Sequence, residues 1–301
     1  MPDNPLSRRT LLGAGALALL PGCTTPLPLG TQAASDPAAV ARLNASAEAH
    51  GLAAYRQLTD INISYDGQWR PLINGVQPVV VDAGFRGSSQ ERLMPAQGIV
   101  AQAYTGPKGS KQVNWRSSRN RAAGSSGGLG DVAVWFNGVA SNDTAALRAA
   151  ALVAEGYNLF LLGPLWLQGR GLAMQLAGAE QVDGRLCDVV NVQLAPGLGM
   201  VALDRVAVCI DRADAITRRV RFTLEGFAST QGAVAEVDTY DHARKFGVLW
   251  PMRSFERVVH PIALPAHDWR ITGLDVNRGY GAEQLAGPQF SGAALAPAAR
   301  L

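Results

Sequence analysis

Cys23 is the residue of this 301-residue chain whose surroundings point most directly to a chemical event, because its thiol closes a short apolar stretch that begins just after Ser7-Arg8-Arg9. Arg8 and Arg9 supply a charged lead, and residues 11 to 20 (LLGAGALALL) form an apolar run too short to span a bilayer as a helix. Leu20-Pro21-Gly22-Cys23 ends it, so the segment reads as an export signal with a site for lipid attachment. The remaining cysteines, Cys187 and Cys209, then belong to a compartment that permits disulfides. If residues 185 to 194 and 202 to 211 form a hairpin, a register centred on Leu198 sets Cys187 opposite Cys209. The narrow geometry of a disulfide leaves two outcomes open, a cross-strand bridge or two buried free thiols. His50, His242, His260 and His267 show no close metal spacing. Asp241-His242 and His267-Asp268 each set an acid beside a base, but neighbours on a strand point to opposite faces, so neither pair works alone. No HExxH, CxxC or Walker-type loop occurs, and Gly197-Leu198-Gly199 sits in a hairpin turn where it cannot serve a dinucleotide. No catalytic residue, metal or cofactor is therefore assigned.

The order Ser-Arg-Arg-Thr-Leu-Leu resembles a twin-arginine leader, with Gly13 where a basic residue often ends that motif. Leu-x-Gly-Cys resembles the bacterial lipobox, with Pro21 an unusual member. What the resemblance implies is twin-arginine export and acylation of Cys23 by palmitate-class chains; the alternative is an ordinary secretory signal cut nearby, or an uncleaved anchor. Thr24 follows the cysteine where Asp would resemble an inner-membrane retention signal, which favours the outer membrane.

Residues 24 to 36 are rich in Pro, Thr and Ala without periodicity and suit a flexible tether. The chain beyond is 48% hydrophobic and 17% charged by overall composition, enough for a sizeable core, and a net charge of +3 gives no reason to expect nucleic acid. Ser35-Asp36-Pro37 is a helix start, and the Ala-rich segment to about residue 57 is expected to be helical, with Gly51 a weak point and Val40, Leu43, Ala47, Leu52 and Tyr55 as a loose stripe. From Leu58 the pattern changes to short β-branched or aromatic runs punctuated by Asp66-Gly67, Asn74-Gly75, Asn137-Gly138 and Asp183-Gly184, four hairpin signals. Strands are expected near residues 60–66, 78–86, 98–104, 112–117 and 131–136. A second series is expected near 172–179, 185–194, 202–211, 216–225, 232–241, 254–260 and 268–276. In that series Val206, Val208 and Ile210 share a dry face with Val220, Phe222 and Leu224. Arg205, Ala207, Cys209, Asp211, Arg219, Arg221 and Thr223 share a wet one.

Between the two series lies a helical region capped by Asn142-Asp143, expected as one helix over 145–155 and a second over 157–168 interrupted at Gly163-Pro164. The second carries no charge and is apolar all round, so it must be enclosed by the curled sheet or meet lipid. Lys108, Lys111, Arg116, Arg119 and Arg121 with Trp115 make an acid-free basic strip, either a solvated loop or a contact for anionic headgroups. The Ser/Gly-rich run over 122–130 behind it reads as a mobile loop.

A lipobox, an N-terminal helix, strands, two mid-chain helices and a long antiparallel meander together resemble the bacterial lipoprotein-localisation proteins LolA and LolB. The likeness is carried by the pair of runs at 204–211 and 218–222, and by the corner Tyr240-Asp241, Phe246-Gly247-Val248 and Pro251-Met252-Arg253. That resemblance implies a half-open antiparallel barrel with helices closing over an apolar cavity, and a non-enzymatic role in shielding acyl chains. Neither the carriers' functional cavity arginine nor the anchored receptor's protruding leucine can be placed on a residue here.

The resulting expectation is an α+β protein: a signal over 1–23, the tether over 24–36, one β-domain over 37–280 enclosing two mid-chain helices, and a tail over 281–301. Its expected role is a periplasm-facing lipoprotein that binds or carries lipid or acyl chains and meets the membrane through Cys23. Leu159, Phe160, Leu162, Trp166, Val208 and Phe222 are the expected cavity lining. An interaction scaffold with a filled core, contacting another envelope protein, is the rival reading, and a hydrolase the third. Empty apolar volume between 157–168 and the sheet would favour binding, while close packing would favour the scaffold.

Overall fold

Asp36 and Pro37 start the first helix as their types require: the Asp36 carboxylate accepts a hydrogen bond from the Ala38 amide at 2.8 Å, and proline fills the first turn. In the computed structural model, which describes residue 27 and residues 35–118, 129–169 and 172–288, this α1 covers Pro37–Ala49. At Gly51 φ is +93°, and a Cβ there would lie 2.2 Å from the Gly247 carbonyl oxygen, so glycine alone lets the chain pass into α2 (Leu52–Tyr55).

β1 (Ile61–Trp69) leads through α3 (Pro71–Val76) and α4 (Pro78–Val81) into β2 (Ser88–Met94), β3 (Ile99–Gly106), β4 (Gly109–Ser117), β5 (Gly130–Phe136) and β6 (Val139–Ala140). Two helices intervene, α5 (Thr144–Leu162) and α6 (Pro164–Leu167). A second meander then comprises β7 (Ala173–Val182), β8 (Arg185–Leu194), β9 (Asp204–Asp211), β10 (Thr217–Thr223) and β11 (Val234–Tyr240). After a small ribbon of β12 (Ala243–Lys245) and β13 (Val248–Trp250), β14 (Arg253–His260) and β15 (Leu264–Val276) finish the sheet.

Thirteen of these strands form one antiparallel sheet in the order β6-β5-β4-β3-β2-β1-β15-β14-β11-β10-β9-β8-β7. The first and last strands meet at its middle, where Ile61 pairs with Val276, and its two edges are the strands that flank α5 and α6 in sequence. The chain must therefore cross from one edge to the other within those helices, and the 19 residues of α5 at helical rise span about 28 Å. The crossing runs along the concave side. Leu159, Phe160 and Leu162 share a single buried cluster with Ile61 and Ile63 of β1, Val208 of β9, Phe222 of β10 and Val237 of β11. The result is the expected curled half-barrel around helices. Enclosure follows from the apolar circumference of α5, since each large side chain removed from water contributes about 1.5–3 kcal/mol.

Several expectations are corrected. Asn137-Gly138 and Asp183-Gly184 are hairpin turns with positive φ at both residues, as the pairing of Asn or Asp with Gly demands. Asn74-Gly75 lies inside α3 and Asp66-Gly67 inside β1, because tertiary pairing with β15 and β2 carries β1 straight through its turn signal. The β-branched stretch 78–86, expected as a strand, begins with Pro78 at a helix N-terminus and becomes α4, which packs on α5; the strand that follows is β2. The mid-chain helix does not break near Gly156. It runs on to Gly163, whose backbone turns before Pro164 starts α6.

The face of β9 and β10 expected to be wet is also covered. Ala207 and Cys209 are buried with Val182, Cys187, Val189, Val234 and Leu27, the last from the stretch expected as a tether. Beside them Arg221 bridges Glu180 at 2.7 Å, Arg219 donates to Asp238 at 3.1 Å, and Arg257 donates to Asp238 at 2.9 Å. In the expected tail, Leu285 is fully buried against Met94, Ile99 and Ala101.

Candidate functional site

The six residues expected to line a cavity are all buried, and the structure divides them. Leu159, Phe160, Val208 and Phe222 meet in the core between α5 and the second meander, where the Phe160 and Phe222 rings lie 5.1 Å apart and close the space. Leu162 and Trp166 lie further along, where Gly163 breaks the helix and turns α6 toward the open mouth of the sheet. Open volume lies there, beside the closed contact of α5 with the second meander. A cleft of about 450 Å³ runs between α2 and α6, walled by Leu52, Tyr55, Leu165, Trp166 and Leu172, with Arg56 and Gln168 among its polar members. Arg56 is exposed, and the Gln168 side-chain nitrogen is buried with no hydrogen-bond partner among the described residues. A smaller space of about 40 Å³ continues behind Trp166 toward Leu162, Glu155 and Asn158. Glu155 there accepts a hydrogen bond from the Gly199 amide at 2.6 Å, tying α5 to the β8–β9 turn.

Sequence reasoning reached Trp166 and Leu162 through their place in an uncharged helix. It did not reach Leu52, Tyr55 or Arg56, which come to the cleft because Gly51 redirects the chain after α1. Pro95 and Pro196, from the turns after β2 and β8, complete the walls and carry no local signal of that role.

The two cysteines do not meet as expected. β8 and β9 pair two residues away from the predicted register, so that Cys187 faces Asp211 and Val189 faces Cys209, and both thiols are free and buried. The Cys209 thiol donates to Glu180 at 3.3 Å, and burial pushes the Cys187 thiol up to about 11. In the basic strip, Lys111 points inward to an ion pair with Asp82 at 2.6 Å and Trp115 is fully buried, leaving Lys108 and Arg116 exposed; Arg119 and Arg121 lie outside the described residues. Cys23, Arg8 and Arg9 also lie outside them, as does the glycine-rich run over 122–128.

The histidines remain dispersed. His50 and His242 face each other edge-on at 6.4 Å, and burial lowers both to about 4. His267 and Asp268 point to opposite faces, Asp268 outward to Arg253 at 3.1 Å. His260 pairs across to Val234 on β11, whereas His267 pairs with Trp69 on β1, so the two are not brought to one site. Among the described residues no group of His, Cys, Asp and Glu is placed to hold a metal ion.

No protein-family model matches the chain, and no curated protein matches it in sequence. Among solved structures, a DUF1329 family protein from Desulfovibrio piger is similar over 84% of this chain and 98% of its own, with a TM-score of 0.50 at 10% identity. A putative outer membrane lipoprotein-sorting protein domain from Vibrio parahaemolyticus matches with a TM-score of 0.43 at 9% identity, covering 82% of this chain and 97% of its own. A LolA superfamily protein from Nitrosomonas europaea matches with a TM-score of 0.44 at 10% identity, again covering 82% and 97%. The likeness is one of fold, and the half-open antiparallel barrel is the architecture that the LolA and LolB resemblance implied.

Proposed function

We propose that this protein is an envelope lipoprotein, exported by its twin-arginine leader and anchored through an acylated Cys23, that takes one acyl chain of a lipid or lipoprotein into the cleft between α2 and α6 without covalent chemistry. The observation that supports it is the cleft itself. Its volume of about 450 Å³ falls in the range of small-molecule sites, and its wall of Leu52, Leu165, Trp166 and Leu172 is apolar where Arg56 and Gln168 are polar. A chain lying along that wall gains about 0.8 kcal/mol for each methylene removed from water, while a polar headgroup meets the polar members. The closed space between α5 and the second meander keeps the cargo at the mouth, beside α6. Thr24 after the cysteine supports the outer membrane as the site of anchoring.

Packing of Phe160 on Phe222 favours a second reading, a scaffold whose filled core presents loops to another envelope protein. Titration of the full chain carrying Cys23→Ser with a fluorescent fatty acid, alongside native mass spectrometry for co-purified lipid, separates the two. Binding that weakens about tenfold in Trp166→Ala is the expected result; no uptake and no co-purified lipid would leave the scaffold. Metabolic labelling with a radiolabelled fatty acid tests the anchor independently, and label is expected on the natural chain and lost in Cys23→Ser.

A further inference from the structure

At the end of β2 opposite the cleft, the concave face carries polar side chains with atoms that have no hydrogen-bond partner among the described residues. Ser89 is the second residue of this strand and Pro95 follows its last, a separation of roughly 20 Å at strand rise, so the two regions are distinct. A row of side chains crosses four strands there: Trp269 of β15 opposite Gly67 of β1, then Tyr65 opposite Ser89 of β2, and Ser89 opposite Tyr104 of β3. Gly67 leaves a notch in that row. A Cβ at this position would come within 2.7 Å of the Trp269 Cβ and 2.9 Å of the His267 Nε2.

Arg86, from the loop between α4 and β2, borders the notch. Its guanidinium carbon lies 4.7 Å from the Trp69 ring centroid, 5.3 Å from Tyr104 and 5.7 Å from Tyr157, and it donates to the Val80 carbonyl at 2.5 Å and the Tyr157 hydroxyl at 2.8 Å. His267 is stacked between Trp69 at 4.0 Å and Trp269 at 4.7 Å. The opening enclosed by these groups holds about 20 Å³, room for a water or the oxygens of one small group, and Gly67 and Ser88 at its edge are exposed.

Three of the lining side chains are more than nine-tenths buried, Arg86 at 7% exposure, Tyr104 at 3% and His267 at 6%. Each has a buried polar atom with no hydrogen-bond partner among the described residues: Arg86 Nε, Tyr104 Oη and His267 Nδ1. Buried polar atoms without partners are costly and rare, and three on side chains that line one small opening point to a place for a polar group. Arg86 also makes no ion pair among the described residues. The carboxyls whose charge acts on it and on its neighbours, Glu91 and Glu256, are pushed by burial up to about 8 and about 7, which leaves the guanidinium undercompensated at neutral pH.

We infer that this notch is a binding subsite for a single carboxylate group, held by the Arg86 guanidinium, the Tyr104 hydroxyl and the His267 imidazole, whose Nε2 is the ring nitrogen nearest Gly67. Arg86 is the one buried charge at the opening and balances a monoanion, not a phosphate dianion; the Asp66 carboxylate at its edge is exposed to water, and the flat aromatic walls suit a planar group. The carboxylate has two sources, a free small acid or the headgroup of a fatty acid whose chain leaves past Ser88. Binding here does not depend on the acyl cleft.

Isothermal calorimetry on the full chain carrying Cys23→Ser, with sodium acetate, sodium octanoate and methyl octanoate at constant ionic strength, tests the subsite. Acetate is expected to bind, and about tenfold more weakly in each of Tyr104→Phe and His267→Phe, which retain an aromatic ring and remove one donor. Circular dichroism checks both folds, and Arg86→Lys, which keeps the charge but loses the Nε–H, is expected to weaken acetate similarly. Octanoate binding at least tenfold tighter than acetate, with the methyl ester inert, identifies a fatty-acid headgroup; equal affinities identify a free acid. Absence of binding by either carboxylate, affinities within twofold in every folded variant, or a methyl ester that binds as tightly as octanoate would each overturn the assignment.

Discussion

Across β8 to β11 the concave side of the sheet carries Val190, Val192, Val206, Val208, Val220 and Phe222, and α5 answers with Leu159 and Phe160. Across β15 to β3 the same side of the same sheet carries Trp269, Tyr65, Ser89, Glu91, Gln102 and Tyr104, and the groups packed on it include Tyr157 and Arg86. In the first region every surface is apolar, so maximal contact is also minimal energy and the space closes. In the second, each buried polar atom requires a partner in a fixed direction, and packing stops where partners run out. Gln102 donates to one oxygen of Glu91 at 2.8 Å, but the other oxygen has no partner among the described residues, and neither do the nearby atoms of Arg86, Tyr104 and His267. A filled half thus supplies stability, and the other half leaves directional bonds unmade among the described residues.

Truncation in the filled half should carry the largest effect. Phe222→Ala removes the ring that closes on Phe160 and should cost about 3–5 kcal/mol in urea unfolding, while leaving carboxylate binding at Arg86 intact. An equal loss from both measurements would show that the two halves are one cooperative surface.

Next is Glu91→Gln, whose effect should depend on pH. Burial raises the Glu91 carboxyl to about 8, partly offset by the Gln102 hydrogen bond and the Arg86 charge. Its folded-state value stands above that of the unfolded chain, near 4.3, so its contribution to stability is complete below about pH 4 and is lost as pH rises through about 8. The Gln variant should flatten that decline and exceed the natural chain at pH 8 by a few kcal/mol, an order-of-magnitude figure. A difference that does not change between pH 5 and pH 8 would contradict the burial account.

The smallest effect is expected on the convex face, where Glu180 is about a quarter exposed and bridges Arg219 at 3.2 Å and Arg221 at 2.7 Å. Glu180→Gln should cost about 1 kcal/mol or less at low salt and almost nothing at 1 M salt, because water and ions screen such pairs. A loss insensitive to salt would place this network with the buried polar half instead.

Legibility in the sequence follows the same division. The second meander was readable because Val206, Val208 and Ile210 alternate with residues that pair or stay small on the other face, and the enclosed helix was readable because no charge interrupts 157–168. β2 was missed because its inward residues include Ser89 and Glu91, so period-two hydrophobicity is absent from the strand that passes the notch. The cleft was half legible: Trp166 lay in a segment that had to be buried, whereas Tyr55 and Arg56 depended on a turn at Gly51. The cysteine register failed by two residues because the turn over 195–203, with its Asp204 carboxylate taking the Leu198 amide at 2.7 Å, is asymmetric about Leu198.

What the amino-acid order determined by itself is the class of the fold and the identity of its buried helix, because periodicity and charge are local properties and burial must follow them. Which strands become neighbours was decided only in three dimensions. Pairing of β1 with β15 brings Gly67 to Trp269, and the crossing of α5 from edge to edge brings Tyr157 to Arg86. Sites arise where such distant segments leave directional bonds unmade, and no short stretch of sequence contains that information.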